Sequence, residues 1–199
     1  KVADPASLPP AQGNQVAWSP NGQFFAVAHN SSPFVTIYER TGLTEFTMLA
    51  DPTSLPASTG RYIAWSPDSQ FLTVAHDTSP RQTTYQRSGT TFTKIADPAS
   101  IPNSDGQGAA WSPNGQYLAL STSGTPFIAI YQREDTTLTL LDAPASLPAG
   151  QGQGISWSRD GQFIAQSHGT SPFITIYQTP ETLPSSGIVK IIGQSLAGS

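Results

Sequence analysis

Four tryptophans set the frame of this chain. Trp18, Trp65, Trp111 and Trp157 recur at spacings of 47, 46 and 46 residues. Each opens a similar block: Trp18-Ser-Pro-Asn-Gly22, Trp65-Ser-Pro-Asp-Ser69, Trp111-Ser-Pro-Asn-Gly115 and Trp157-Ser-Arg-Asp-Gly161. Eleven residues beyond each Trp stand His29, His76, Thr122 and His168, and twenty beyond stand Tyr38, Tyr85, Tyr131 and Tyr177. Pro33, Pro80, Pro126 and Pro172 keep the same register without a gap. A period of this length marks repeated supersecondary units, each burying its apolar surface on its neighbours. The extra residue of the first period falls between Tyr38 and Pro52, where a hairpin tip tolerates it.

Each period holds four strand-like runs. In the third they are Gly108–Trp111 (a), Gln116–Leu120 (b), Phe127–Tyr131 (c) and Thr137–Leu141 (d). Asn-Gly and Asp-Gly supply the positive φ that a tight a–b turn needs, and the recurrent prolines block helix continuation. No window of a dozen residues carries a 3.6-residue apolar period, so no helix is expected. Runs such as Phe24-Phe-Ala-Val-Ala28 are apolar on both faces and must be covered on both sides. Stacked four-stranded sheets do this. The fold class expected is all-β: a β-propeller of four-stranded antiparallel blades, with four repeats of about 46 residues.

Residues 1–184 are assigned to the blades and 185–199 to a C-terminal extension or the start of another module. Within that tail Ile188-Val-Lys-Ile-Ile192 alternates well enough for a strand or a docking arm. At the other end Lys1-Val-Ala-Asp4 matches the end of strand d at Lys94-Ile-Ala-Asp97, and Pro180-Glu-Thr-Leu-Pro184 copies the connector Pro144-Ala-Ser-Leu-Pro148. One d strand therefore leads the chain and the last blade lacks its own. The leading strand could complete it and so remove an exposed edge. Three closures stay open: four blades on one chain, eight blades on two chains, or part of a larger ring. The start at Lys1, inside a recurring motif, points to processing or to a longer parent chain.

Composition excludes several function classes. Only 11% of residues are charged, against about 25% in an average soluble domain. The net charge is −4, and three scattered lysines (Lys1, Lys94, Lys190) offer little to a phosphate backbone, so no nucleic-acid partner is expected. No apolar stretch approaches the length of a membrane helix and no secretory leader pattern opens the chain, so no membrane insertion is expected. Cysteine is absent, which rules out disulfides and thiolate chemistry.

The repeat resembles the WD-repeat β-propellers: an apolar strand into Trp-Ser-Pro-Asp/Asn-Gly, a short apolar strand, then Ile/Thr-x-x-Tyr where the family has Trp-Asp. It covers residues 1 to about 178. It departs in two places. Pro-x-Ser-Leu/Ile-Pro replaces the Gly-His pair, and Tyr-Glu or Tyr-Gln at Tyr38, Tyr85, Tyr131 and Tyr177 replaces Trp-Asp. More narrowly, Asp-Pro-Ala-Ser-Leu-Pro with Ala-His-Asp-Thr-Ser-Pro is similar to propeller repeats of tailed-bacteriophage structural proteins. That resemblance implies a non-catalytic structural or binding module of a phage-like virion: a decoration, fibre or tail-associated protein, located in the virion or outside the cell. Its implied partners are other virion proteins, copies of itself, or a host-surface glycan or protein. The alternative is a soluble WD-repeat-type interaction scaffold, and a propeller hydrolase ranks third. The chain is accordingly expected not to be an enzyme, with no catalytic, metal or cofactor site.

The chemistry-bearing residues fit that expectation. His29, His76 and His168 repeat with the blades, so they lie about 10 Å or more apart, whereas a zinc ion needs ligands at about 2 Å. They are assigned a structural role near the b–c loop. Asp4, Asp51, Asp97 and the displaced Asp142 precede the Pro-rich connectors, where Asp starts a turn. Asn21, Asp68, Asn114 and Asp160 are turn residues on the same logic. Gly150-Gln-Gly-Gln-Gly154 lacks the Lys-Ser/Thr of a phosphate loop. The tryptophans are assigned to blade-to-blade packing. The departures between repeats point elsewhere: blade two has Arg81-Gln-Thr-Thr-Tyr85 where its sisters have Phe-Ile/Val-x-Ile-Tyr, and it holds Arg61 and Arg87 as well. Arg61, Arg81 and Arg87 are the candidate interaction residues, on a contact edge or on a surface strand that has drifted.

Overall fold

The computed structural model describes residues 1–179. Among these there is no helix. Fifteen strands form four antiparallel sheets in chain order. The first blade is β1 (Gly13–Trp18), β2 (Phe24–His29), β3 (Val35–Arg40) and β4 (Phe46–Met48). The second is β5 (Gly60–Trp65), β6 (Phe71–His76), β7 (Gln82–Ser88) and β8 (Thr91–Lys94). The third is β9 (Gly106–Trp111), β10 (Tyr117–Thr122), β11 (Ile128–Glu134) and β12 (Thr137–Leu140). The fourth has three strands: β13 (Gly152–Trp157), β14 (Phe163–His168) and β15 (Ile174–Gln178). Each is a meander of adjacent strands, and the blades stack face to face. The expected all-β propeller architecture is what the chain adopts.

One a–b turn shows why the repeat folds this way. Ser66 Oγ donates to the Asp68 carboxylate and accepts from the Phe71 amide at 2.8 Å. Ser19, Ser112 and Ser158 repeat the pattern with Asn21, Asn114 and Asp160. The fourth turn position has φ between 59° and 73° in all four blades, at Gly22, Ser69, Gly115 and Gly161. Each Tyr of strand c reaches back 31 residues to hold the connector. The Tyr85 hydroxyl donates to the Ser54 carbonyl at 2.8 Å, as Tyr38 does to Ser7 and Tyr177 to Ser146.

The cores lie between blades. Phe24, Ala26, Val35 and Ile37 of the first blade meet Ile63, Trp65, Leu72 and Val74 of the second. Counterparts of Phe24, Ile63, Trp65 and Leu72 recur in the next two interfaces, as Phe71, Ala109, Trp111 and Leu118 and then as Tyr117, Ile155, Trp157 and Ile164. Each Trp Nε1 donates to the blade before it: Trp65 to the Ala17 carbonyl at 3.1 Å, Trp111 to Thr73 Oγ1 at 3.2 Å and Trp157 to the Ala110 carbonyl at 3.2 Å. The packing role assigned to the tryptophans holds for these three.

Two expectations need correction. Strand c of the second blade is not a drifted surface strand. Gln82, Thr83 and Thr84 are buried, and Thr84 Oγ1 lies 2.8 Å from Thr73 Oγ1 and donates to Gln82 Oε1 at 2.6 Å. Lost apolar packing is replaced by a satisfied polar cluster, which a buried interface accepts. The leading d strand does not form. Lys1–Asp4 is exposed and unstranded, and no described strand pairs with it. Nor do the described residues close a ring: the outer faces of the first and fourth blades stay open among them, with Trp18 51% and Ile176 50% exposed. The boundary placed at residue 184 and the strand expected at Ile188–Ile192 lie outside the described residues.

Candidate functional site

The three histidines end their b strands and are buried. Each bonds the threonine opposite it on strand c: His29 to Thr36 at 2.9 Å, His76 to Thr83 at 3.0 Å and His168 to Thr175 at 3.0 Å. Burial lowers the His76 pKa to about 4 and lowers that of His29 in the same direction. The neutral ring is therefore the form built into each of these two blades. Among the described residues no three His, Cys, Asp or Glu side chains come together as a metal site. Asp4 and Asp97 instead pair with Lys1 at 3.1 Å and Lys94 at 2.8 Å in exposed turns.

The arginines divide. Arg61 and Arg81 meet at the b–c loop end of the second blade, whereas Arg87 sits at the opposite end. Arg87 Nε donates to the Ser69 carbonyl at 2.9 Å, and its guanidinium lies 5.0 Å over the Phe24 ring of the preceding blade. Arg133 repeats this exchange on Phe71 at 4.6 Å. Arg87 is thus a staple between blades.

At the other end Arg61 makes a paired contact with Asp77, Nη2 to Oδ2 at 2.9 Å and Nε to Oδ1. That hydrogen-bonded carboxylate raises the Arg61 pKa further above its ordinary value. Arg81 Nη1 donates to the Asp77 carbonyl and, at 2.7 Å, to the Asp105 carboxylate at the start of the third blade. Arg81 has φ 72°, and its carbonyl accepts the His76 amide at 3.0 Å. The turn aims that carbonyl at Gly106, where a Cβ would approach it to 2.5 Å. Gly60 stands in the same relation to the Phe34 carbonyl. Only glycine lets the blades close at these points.

The result is a linked row, Arg61–Asp77–Arg81–Asp105, across two blades on the loop face. The side chain of Arg61 is 45% exposed and that of Asp105 40%. In the first blade the corresponding pair is Asn14–Asn30, bonded at 2.7 Å without charge. Asp77 and Asp105 were missed in the sequence, although both depart from the repeat just as Arg81 does. A separate shallow depression lies on the outer side of the third blade, lined by Asp97, Pro98, Ser100 and Thr137–Leu140.

No family model matches the sequence, and no curated protein matches it. Solved structures do. A candidate 6-phosphogluconolactonase from Bacteroides fragilis superposes with TM-score 0.67 at 15% identity over 90% of this chain and 53% of that one. A chain of the mitotic checkpoint complex gives 0.61 at 15% over 82% and 47%. Hydrazine synthase of Kuenenia stuttgartiensis gives 0.60 at 16% over 82% and 51%. The chain spans about half the length of these neighbours. At such identities the likeness shows the fold, a WD-repeat-like propeller, and no link to bacteriophage proteins. It also corrects the expectation that the chain is not an enzyme: a neighbour described as a lactonase shares this architecture, so the fold is no ground for excluding catalysis.

Proposed function

We propose that the chain is a protein-interaction scaffold that binds its partner through the loop face of the second and third blades. The observation that carries this reading is the charged row Arg61–Asp77–Arg81–Asp105. It gathers four charges on a surface where charge is scarce, and half-exposed arginines are enriched at protein interfaces. A rigid stack of blades holds the row in fixed geometry, which reduces the ordering cost of binding. The bacteriophage setting expected from the sequence gains no support from the structural neighbours, and the scaffold reading stands without it.

The test is quantitative affinity capture from the source extract with the wild-type chain, Arg61→Ala, and Arg159→Ala, whose site lies in an a–b turn at the opposite end. A bound protein retained at least about tenfold less by Arg61→Ala, a loss of about 1.4 kcal/mol, and equally by Arg159→Ala, supports the reading. If every protein bound by wild type is retained equally by Arg61→Ala, the loop face is not the binding surface.

A further inference from the structure

The first blade is built as an interior blade, although among the described residues no blade packs on its outer face. Trp18 holds the position from which Trp65 and Trp157 bond a preceding blade, yet its ring is half exposed. It stands in an open aromatic cluster, 5.2 Å from Phe25 and 5.8 Å from Phe46. Arg40 is exposed at the position where Arg87 and Arg133 each cover an aromatic ring of the blade before. Gly13 is kept, although a Cβ there would meet only its own blade, at Val27.

The fourth blade is built the same way on its far side. Ile174 and Ile176 are each 50% exposed, while their counterparts Ile128 and Ile130 are buried against the next blade. Repeat arrays that end in solvent carry polar caps, and neither end face here is one. The two faces also fit each other by the chain's own rules. Applied once more, the repeat sets Trp18 Nε1 on the Ser156 carbonyl, as Trp157 sits on Ala110. It sets Arg40 over Phe163, as Arg87 lies over Phe24. It sets the Val2 amide on the Ile176 carbonyl, as Ile95 bonds Thr84 at 3.0 Å and Leu141 bonds Ile130 at 2.8 Å. That last bond adds an outer strand to the three described in the fourth sheet.

We propose that the first blade of one copy stacks on the fourth blade of a second copy, so that two chains close an eight-bladed ring through two such contacts. Residues 1–4 of each copy complete the outer edge of the other's last blade. The occupant is a second copy because both surfaces already exist on this chain and continue its three internal interfaces. Four blades match about half of each structural neighbour, so two copies supply a neighbour's length of propeller. This inference is independent of the partner-binding role of the loop face.

Light scattering on the eluting 199-residue chain tests it. The expected mass is twice 21.0 kDa. Trp18→Glu and Ile176→Glu each place a charge on one end face at a half-exposed site, so each variant keeps its β circular dichroism and elutes as a monomer. Mixed in equal amounts, they pair again, because the mixed dimer has one contact free of both substitutions. Arg40→Ala, a milder change, weakens pairing at least threefold by dilution. A wild-type monomer of 21.0 kDa overturns the proposal, whether its end faces stay open or are covered by other parts of the chain. An open-ended polymer overturns the ring. A dimer that survives both end-face substitutions, or a mixture that fails to pair, overturns the end-to-end placement.

Discussion

His76 makes the stability of the blades depend on acid in a way that one substitution removes. Its ring is fully buried, bonded to Thr83, and its pKa is lowered from 6.5 to about 4 by burial. The unfolded chain takes up a proton on this group below about pH 6.5, and the folded chain does so only near pH 4. Between those values the unfolded state binds more protons, so stability falls as pH falls; above the window it is unaffected. At pH 5 the linkage relation gives a loss on the order of 2 kcal/mol relative to pH 7. His76→Gln keeps a partner for the Thr83 hydroxyl and does not titrate. Urea unfolding at pH 7 and pH 5, at one protein concentration, compares the two chains. Carboxylates and His29 contribute to both and cancel in the difference. Wild type is expected to lose about 2 kcal/mol more than His76→Gln over this interval. Equal losses would refute the claim that the buried neutral ring carries this pH dependence.

Two further changes probe the packing. Tyr85→Phe removes the hydroxyl that holds the Ser54 carbonyl and is expected to cost about 1 kcal/mol in chemical denaturation, with faster amide exchange in the connector around Ser54. An unchanged connector would mean the Tyr-to-carbonyl tether is idle. Gly60→Ala drives a methyl group into the Phe34 carbonyl and is expected to cost about 1–3 kcal/mol by differential scanning or urea unfolding. A neutral result would show that the blades can separate there without penalty.

What the sequence revealed follows from what is local. The period placed Trp65, Trp111 and Trp157 at blade interfaces, and the turn chemistry of Ser-Pro-Asn/Asp-Gly put the a–b hairpins within a residue or two of their observed ends. Strand d of the third repeat, expected at Thr137–Leu141, runs Thr137–Leu140. The leading strand at Lys1–Asp4 failed because resemblance to Lys94–Asp97 states only what a segment can pair with, and a strand needs its partner edge within reach. Blade two misled because Gln82 and Thr84 look like surface residues until their bonds to each other and to Thr73 are seen. Arg87 was grouped with Arg61 and Arg81 by blade, but strand direction sends it to the other end. The link from Arg81 to Asp105 spans two repeats, so no reading of one repeat at a time could find it.

The rule that each blade's tryptophan seats on the blade before it, across copies as well as within one, underlies the whole account. A crystal structure of the 199-residue chain tests it most directly at Trp18. The account predicts the indole nitrogen of Trp18 within hydrogen-bond distance of the Ser156 carbonyl of a second copy, near the 3.1–3.2 Å seen for Trp65 and Trp157. A Trp18 left in solvent, or seated on any other surface, would contradict it.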